Sequence, residues 1–373
     1  MKLNKLKIGL YRNLLPAEVF FDDGINVIWG DNAQGKTNLL EGIYIFASGK
    51  PYRIKKESDV IPFGKDSASL EIEYTSFNRD NSMSVFYRKG EKRQMKICGG
   101  EITKASEFIG NFKAVLFCPD HLSIIKDSPS QRRLFLDVAI SQTDKKYVYM
   151  LKKYNKLLLQ RAAFIKDCAE KNTVNFNMLE ALSQQLSPCA SYIEKKRKAY
   201  CKKLEGYMGI SIDEMSCGKE KVSVSYCGIT EKDEEPSTEA FEKVYTDNIK
   251  KEIQYKMNLY GPHRDDVDIL LNGRSSRFYC SQGQQRSLSL AAKLAEGEIS
   301  NDEMGEYPVY LFDDVLSELD SGRASYLLSK LDNKQVIITS CNEELFSPYG
   351  VNNRINVKAG EIKCTFSPPD TKY

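Results

Sequence analysis

Three groups of residues in this chain are of the types and spacing that could do chemistry. Gly30 to Thr37, Gly-Asp-Asn-Ala-Gln-Gly-Lys-Thr, fits G-x-x-x-x-G-K-[ST], a phosphate-binding loop. Gly30 and Gly35 let the backbone curl so that N–H groups face inward, with Asp31, Asn32, Ala33 and Gln34 between them. Lys36 supplies a point charge for the β/γ-phosphates of a nucleoside triphosphate, and the Thr37 hydroxyl can ligate Mg2+. Asp313-Asp314 follows the apolar run Val309–Phe312. Alone it could equally be an acidic turn after a strand. Paired with the loop, its first carboxylate can hold Mg2+ through water and its second can orient an attacking water. Ser281-Gln-Gly-Gln-Gln-Arg286 opens a helix. Ser and Gly there expose free N–H groups, a second phosphate site, although a helix merely capped by Ser281 reads the same way. A kinase or small GTPase has no use for such a second site. An ATPase that sandwiches nucleotide between two protomers does.

These groups need elements to hold them. Ile25–Trp29 is an apolar run of strand length, and Leu39, Leu40, Ile43 and Phe46 fall at helical spacing. The loop therefore sits between a strand and the positive N-terminal end of a helix. Residues 2–8 read as a strand, and Val19–Phe21 with Ile25–Trp29 as a hairpin across Asp22-Asp23-Gly24. Residues 68–75, 83–88 and 93–98 alternate like antiparallel strands, while Ala114–Phe117, Val309–Phe312 and Gln335–Thr339 are buried-type strands. From Pro129, with Ser128 as cap, the pattern turns helical. Tyr147, Met150, Leu151, Tyr154, Leu157, Leu158, Ala162 and Ile165 share one face, with Lys152, Lys153, Lys156 and Arg161 on others, and a second helix spans roughly 175–206. A strand at 222–228, an acidic loop Glu231–Pro236, a helix at 239–259 and a strand Val267–Leu271 follow. The fold class is α/β, a parallel core sheet with an antiparallel flank plus a mainly helical lobe. Residues 1–127 with 259–373 are expected to form the head and 128–258 the insertion.

Composition narrows the class. At 373 residues the chain exceeds the usual single core. No apolar run approaches the roughly 18 residues of a membrane helix. The N-terminus alternates like a strand and unlike a signal peptide. Ten cysteines stand singly, without a C-x-x-C pair, beside two histidines, which argues against zinc and for a reducing cytoplasm. Residues 130–205 carry 16 Lys/Arg against 7 Asp/Glu, or +9, which leaves −6 for the rest of a chain of net charge +3. Such asymmetry suits a polyanionic partner, or simply a solvated helical face.

With these residues assembled, the chain resembles the RecF family, bacterial recombination mediators of the ABC/SMC/Rad50 ATPase class, nearly end to end. The resemblance rests on Leu10-Tyr11-Arg12-Asn13, Gly30 to Glu41, Ser128-Pro129 with Arg132-Arg133 and Phe135-Leu136-Asp137, Gly261-Pro-His-Arg-Asp-Asp266, Ser281 to Arg286, and Asp313-Asp-Val-Leu-Ser-Glu-Leu-Asp320. It implies an ABC-type P-loop ATPase head with ATP and Mg2+ as cofactors. Gly30–Thr37, Arg12 and Asn13 would bind ATP, Thr37 and Asp313 would hold Mg2+, and Lys36, Asp313 and Asp314 would be catalytic. Ser281 and Gly283 would contact the γ-phosphate of ATP held by a second copy, giving an ATP-dependent homodimer with Asp320 at its interface. Three places depart from the pattern. Asp314 stands where transporter-type members carry Glu. Thr339-Ser340-Cys341 occupies the switch-histidine place. No clear Q-loop glutamine is present, with Asp120 the nearest polar candidate and Glu-Asp more usual at Asp120-His121. The implied function is a slow, DNA-stimulated ATPase acting as a DNA-binding switch at single-stranded, gapped or junction DNA. It would work in the cytoplasm at the nucleoid, away from membranes, with RecR- and RecO-type mediators in recombinational repair, replication restart and the SOS response. The alternatives are a nucleotide-binding subunit of an ABC transporter, an SMC-like chromosome organiser, which needs far longer heptad runs, and a P-loop kinase.

Overall fold

The strands that carry the candidate chemistry share one sheet. In spatial order it runs β15 (Glu361–Cys364), β14 (Asn353–Lys358), β3 (Ile25–Trp29), β13 (Val336–Ser340), β12 (Val309–Asp313) and β8 (Ala114–Phe117), parallel throughout except for β14–β15. β8, β12 and β13 are buried along their whole length, which is why they read as unbroken apolar runs. Helix α1 (Lys36–Ser48) leaves the phosphate loop and packs across β13, β12 and β8, burying Leu39, Leu40, Ile43 and Phe46 at the expected spacing. The flank is a second, antiparallel sheet in the order β2 (Ala17–Phe20), β1 (Lys2–Leu10), β4 (Ser67–Ser76), β5 (Arg79–Arg88), β6 (Gln94–Ile97), β7 (Gly100–Ile102). The computed structural model describes residues 1–53, 56–171, 176–231, 234–341 and 350–364, and the acidic loop 231–236 falls partly outside them.

The expected hairpin of Val19–Phe21 with Ile25–Trp29 does not form. β2 pairs with β1, while β3 lies between β13 and β14 in the other sheet. The turn signal is real, but it hands the chain from one sheet to the next. Asn26 holds that turn, donating to the carbonyls of Asp22 (2.9 Å) and Gly24 (3.0 Å) and accepting from the Asp22 N–H at 2.8 Å. Gln335 joins the same two sheets. Its buried amide donates to Leu3 O (2.8 Å) and Asp22 O (2.9 Å) and accepts from the Leu3 N–H (2.7 Å). These bonds satisfy backbone groups that neither sheet's own ladder reaches.

The chain divides into two compact units, Met1–Leu122 with Arg286–Tyr373, and Ser123–Gln285. Helix α2 (Ala105–Phe108) and helix α11 (Ser321–Lys330) belong to the first. The second holds α3 (Ser123–Lys126), α4 (Pro129–Thr143), the long pair α5 (Lys145–Lys171) and α6 (Phe176–Ser216), α7 (Thr238–Asp247), α8 (Ile249–Tyr255) and α9 (Ser276–Tyr279). It also contains a three-stranded sheet, β11 (Arg274–Ser275), β10 (Asp266–Leu271), β9 (Val222–Cys227). The strand expected at 222–228 is β9, and the second unit runs to Gln285, past the expected 258, where β10 pairs antiparallel with β9 over six residues. Each strand is visible locally, but nothing local names its partner. Helix α10 (Gln282–Met304) begins as the second unit ends.

Gly261–Asp266 is the packing hub of this second unit. Arg197, 2% exposed, pairs with Asp137 and donates to Pro262 O at 2.7 Å. His263 Nδ1 meets Tyr154 Oη at 2.7 Å, Tyr226 donates to Asp265 Oδ2 at 2.6 Å, and Arg132 grips Asp266 through Nε (2.7 Å) and Nη2 (2.9 Å). A second buried cation, Arg161, pairs with Glu252 at 2.6 Å and donates to Asn258 at 2.7 Å. Burial lifts the Asp265 carboxyl from 3.8 to about 6, against the Tyr226 hydrogen bond and the nearby Arg197 and Arg133. The folded chain thus keeps a proton that the unfolded chain has lost, so ionising Asp265 costs stability above that window and the cost fades as pH falls through it. Burial acts oppositely on His263, lowered to about 4, whose neutral form loses stability as pH falls below its usual 6.5. Asp265→Asn removes the first titration only. Urea unfolding at a series of pH values should show the variant gaining on wild type as pH rises from 4 to 7, by up to about 3 kcal/mol for a shift of about two units.

Candidate nucleotide-binding site

The loop from Gly30 to Gly35 takes the backbone shape its sequence requires. Gly30 has φ 151° and Gly35 φ 121°, and a Cβ on Gly30 would meet Val357 O at 2.2 Å. Ala33 also sits at positive φ, 63°. No side chain caps α1, so its first N–H groups remain directed at the space the loop encloses. Lys36, 7% exposed, folds back over its own loop and donates to Gly30 O (2.6 Å) and Asp31 O (2.8 Å), with Cys341 Sγ at 3.4 Å. The Cys341 thiol in turn reaches Asn32 Oδ1 at 2.8 Å. Gln34 anchors the loop from outside. Its carbonyl accepts from Asn13 Nδ2 (3.2 Å) and Gly360 N (3.2 Å), and its Oε1 accepts from Ala359 N (2.5 Å). The turn between β14 and β15 thereby supports the phosphate loop, a role no sequence signal announced.

β12 and β13 deliver the acidic half. Asp313 Oδ1 accepts from Thr37 Oγ1 at 2.8 Å and from Thr339 Oγ1 at 2.9 Å, and its Oδ2 accepts from Tyr52 Oη at 3.1 Å. Thr339 also accepts the Asp314 N–H at 2.9 Å. Thr339, at the place where a histidine is missing, thus orients both aspartates. Asp314 sits at φ 52°, an uncommon conformation for a non-glycine residue that turns it out of the strand. Among the described residues its carboxylate has no hydrogen-bond or ion-pair partner. The geometry therefore distinguishes the two acids, one held by three hydroxyls and one left available.

Arg12 and Asn13 arrive from the end of β1. Arg12, at φ 50°, forms an ion pair with Glu41, and its Nη1 donates to Asn38 Oδ1 at 3.2 Å. Asn38 Nδ2 donates to Asn13 Oδ1 at 2.7 Å. Glu41 is wholly buried. Its Oε2 also accepts from Tyr11 Oη at 2.8 Å, and its Oε1 from the Arg53 N–H at 3.2 Å. Burial, with the Glu41 charge beside it, holds the Tyr11 phenol well above its usual range, so it remains a donor. The expected Arg12, Asn13, Gly30–Thr37, Asp313 and Asp314 are accordingly brought together. Ser281 and Gly283 belong to the other compact unit. There Ser281 forms a reciprocal cap, with Gln284 N donating to Ser281 Oγ (3.2 Å) and Ser281 N to Gln284 Oε1 (2.9 Å). The side chain remains exposed. Asp320 caps α11 through Arg323 N at 3.0 Å. The Asp120 side chain lies outside the described residues. Tyr52 and the Ala359–Gly360 turn are the site residues that sequence reasoning passed over, and Glu41 and Thr339, named there only as parts of motifs, gain their contacts from the fold. Replacing Glu41 with Ala leaves Arg12 without its buried counter-charge. Chemical denaturation should show a loss of about 3 kcal/mol, by the usual cost of breaking a buried ion pair.

Comparison with known proteins follows this geometry. The family model described as "RecF/RecN/SMC N terminal domain" matches residues 2–364. The DNA replication and repair protein RecF of Clostridium perfringens is 37% identical over 366 residues, 98% of this chain and 100% of that protein. RecF of Ruminiclostridium cellulolyticum is 36% identical over 351 residues, 93% of this chain and 94% of that protein. Among solved structures, that of the recombination mediator protein RecF with ATP, in the RecFOR pathway, superposes with a TM-score of 0.91 at 33% identity, covering 98% of both chains. The loop, the aspartate pair, the flanking antiparallel sheet and the full-length match converge on one conclusion, that this chain belongs to the RecF family of ABC/SMC-type ATPase folds.

Proposed function

We propose that this protein is an ATP-dependent DNA-binding switch of recombinational repair and replication restart. The observation that carries the reading is a phosphate loop whose lysine, threonine and paired aspartates are already assembled, while the Ser281 helix start belongs to the other compact unit. An exposed, self-capped helix start of this kind suits a head-to-head dimer in which the Ser281 and Gly283 backbone of one copy closes on the γ-phosphate held by the loop of the other. The bonds of Lys36 to Gly30 O and Asp31 O are those a nucleotide's phosphates would replace. The N–H groups of the loop and of the first turn of α1 cradle the phosphate oxygens. Asp314, with its carboxylate free of protein partners among the described residues, orients the attacking water and accepts its proton.

The donor set fits Mg2+. Thr37 Oγ1 and Asp313 Oδ1 are hard oxygen atoms 2.8 Å apart, and among the described residues no cluster of three or more His, Cys, Asp or Glu forms a separate metal cage. This suits a cation shared with phosphates and water. Bound there, Mg2+ would neutralise charge on the β- and γ-phosphates. Turnover is slow and DNA-stimulated in this reading, and the shorter Asp314, standing where transporter-type members carry Glu, suits the slow rate.

The DNA surface lies on α5. Lys145, Tyr149, Lys152 and Lys156 fall at i, i+4, i+7 and i+11, one helix face about 16 Å long, with Lys153 beside it. The four lysines are exposed and have no acidic partner among the described residues, and Tyr149 is 58% exposed. Such a stripe can follow phosphates along single-stranded, gapped or junction DNA, with Tyr149 offered for stacking. RecR- and RecO-type mediators would join this state to load recombinase and support the SOS response. The protein would act in the cytoplasm at the nucleoid, and among the described residues no helix is long and apolar enough to cross a membrane.

Two measurements test this. Lys36→Ala should abolish ATP binding and the ATP-dependent dimer seen by size-exclusion chromatography, and a variant that still dimerises with ATP would overturn the reading. Lys152→Ala with Lys156→Ala should weaken DNA binding and reduce the slope of log K against log[salt] by about 2, whereas a flat salt response in wild type would exclude a phosphate-tracking surface.

A further inference from the structure

Tyr52 touches the metal-binding half of the site from an unexpected direction. It lies in the segment after α1, and its phenol donates to Asp313 Oδ2 at 3.1 Å. Two constraints fix it there. Its ring packs edge-on against buried Tyr44, with centroids 5.9 Å apart and planes at 83°. The next residue's N–H donates to buried Glu41 Oε1 at 3.2 Å, which pins the backbone beside it.

We propose that Tyr52 is a positioning residue for the metal-binding carboxylate, holding Asp313 in one rotamer through Oδ2 while Thr339 holds Oδ1. The inference rests on the reading above in which Thr37 and Asp313 receive Mg2+. Thr37 Oγ1 now donates its proton to Asp313 Oδ1. That hydroxyl can keep this bond while one of its lone pairs faces the cation, but a bond to a single oxygen leaves the carboxylate free to turn about it. An Asp313 held by Thr37 alone would be free to rotate at the moment the cation arrives. Tyr52 and Thr339 add bonds on both oxygens of the carboxylate. The carboxylate is therefore set before the cation binds, and the metal finds its ligand already placed. Bonds of this kind around a metal ligand are commonly worth about 10- to 100-fold in metal affinity.

The test is a Mg2+ titration of fluorescent-ATP binding to the full chain, with nucleotide affinity in EDTA measured alongside. Tyr52→Phe removes one hydroxyl and keeps the ring packing, so its melting temperature should stay near wild type. Its Mg2+ half-saturation should rise about 10-fold, while its affinity for ATP in EDTA is unchanged. A residue that only supports the fold would move both quantities together. Asp313→Asn separates the two layers of the argument. If wild type and Asp313→Asn respond alike to Mg2+, the assignment of Asp313 as the metal carboxylate falls. If Asp313→Asn loses the response and Tyr52→Phe keeps the wild-type half-saturation, Tyr52 has no positioning role. A Tyr52→Phe protein that melts far below wild type, or binds ATP in EDTA more weakly, would likewise overturn the inference in favour of a structural role.

Discussion

One buried carboxylate ties the nucleotide site together. Glu41 lies inside α1 with no exposed surface, yet three groups from two separate pieces of chain converge on it: Tyr11 and Arg12 from the end of β1, and the Arg53 backbone from the segment after the helix. A lone carboxylate buried so deeply would be costly, and the arrangement answers the cost with a cation, a phenol and an amide. The consequence is geometric. The phosphate loop and its helix, the arginine beside them and the tyrosine on Asp313 all take their positions from the same residue. At the opposite, N-terminal ends of the parallel strands, buried side-chain amides of Asn26 and Gln335 join the two sheets and complete what their ladders leave open.

Much of this was legible in the sequence because it depends on local chemistry. Gly30 and Gly35 had to be glycine for the loop to close, and Lys36, Thr37, Asp313 and Asp314 lie together as their spacing suggested. What was illegible depends on partners far away in the chain. Asp22-Asp23-Gly24 reads as a turn, and is one, but no local feature says whether the strands on its two sides meet. β9 and β10 are each recognisable, yet their pairing, which carries the return of the insertion from 258 to 285, is a tertiary fact. Tyr52 belongs to no spacing rule at all, and Thr339 was noted only as standing where a histidine is missing. What each does is identified only by what it touches.

Charge shows the same limit in another form. The count of basic residues between 130 and 205 treats every lysine and arginine alike. The fold sorts them. Arg132, Arg161 and Arg197 are buried and paired, with Asp266, Glu252 and Asp137, and Lys196 pairs with Asp144. Arg161, expected on a polar face of its helix, is 1% exposed. Arginine suits these interior sites because its fork meets several acceptors at once. The lysines of α5 remain outside. The exposed basic surface is therefore smaller than the count suggested, a row of lysines on α5 with Lys195, Lys202 and Lys203 exposed on α6.

The turn at Ala359–Gly360 has a consequence for how the protein is made. Its N–H groups hold Gln34 across a separation of 325 residues, and the preceding strand lies beside β3. The sequence that gives the loop its chemistry leaves the ribosome 325 residues ahead of the turn that gives it its shape. A nascent chain that has not yet extended β14 carries the phosphate-binding sequence without the support that curves it, so the site matures only once β14 and its turn have been made.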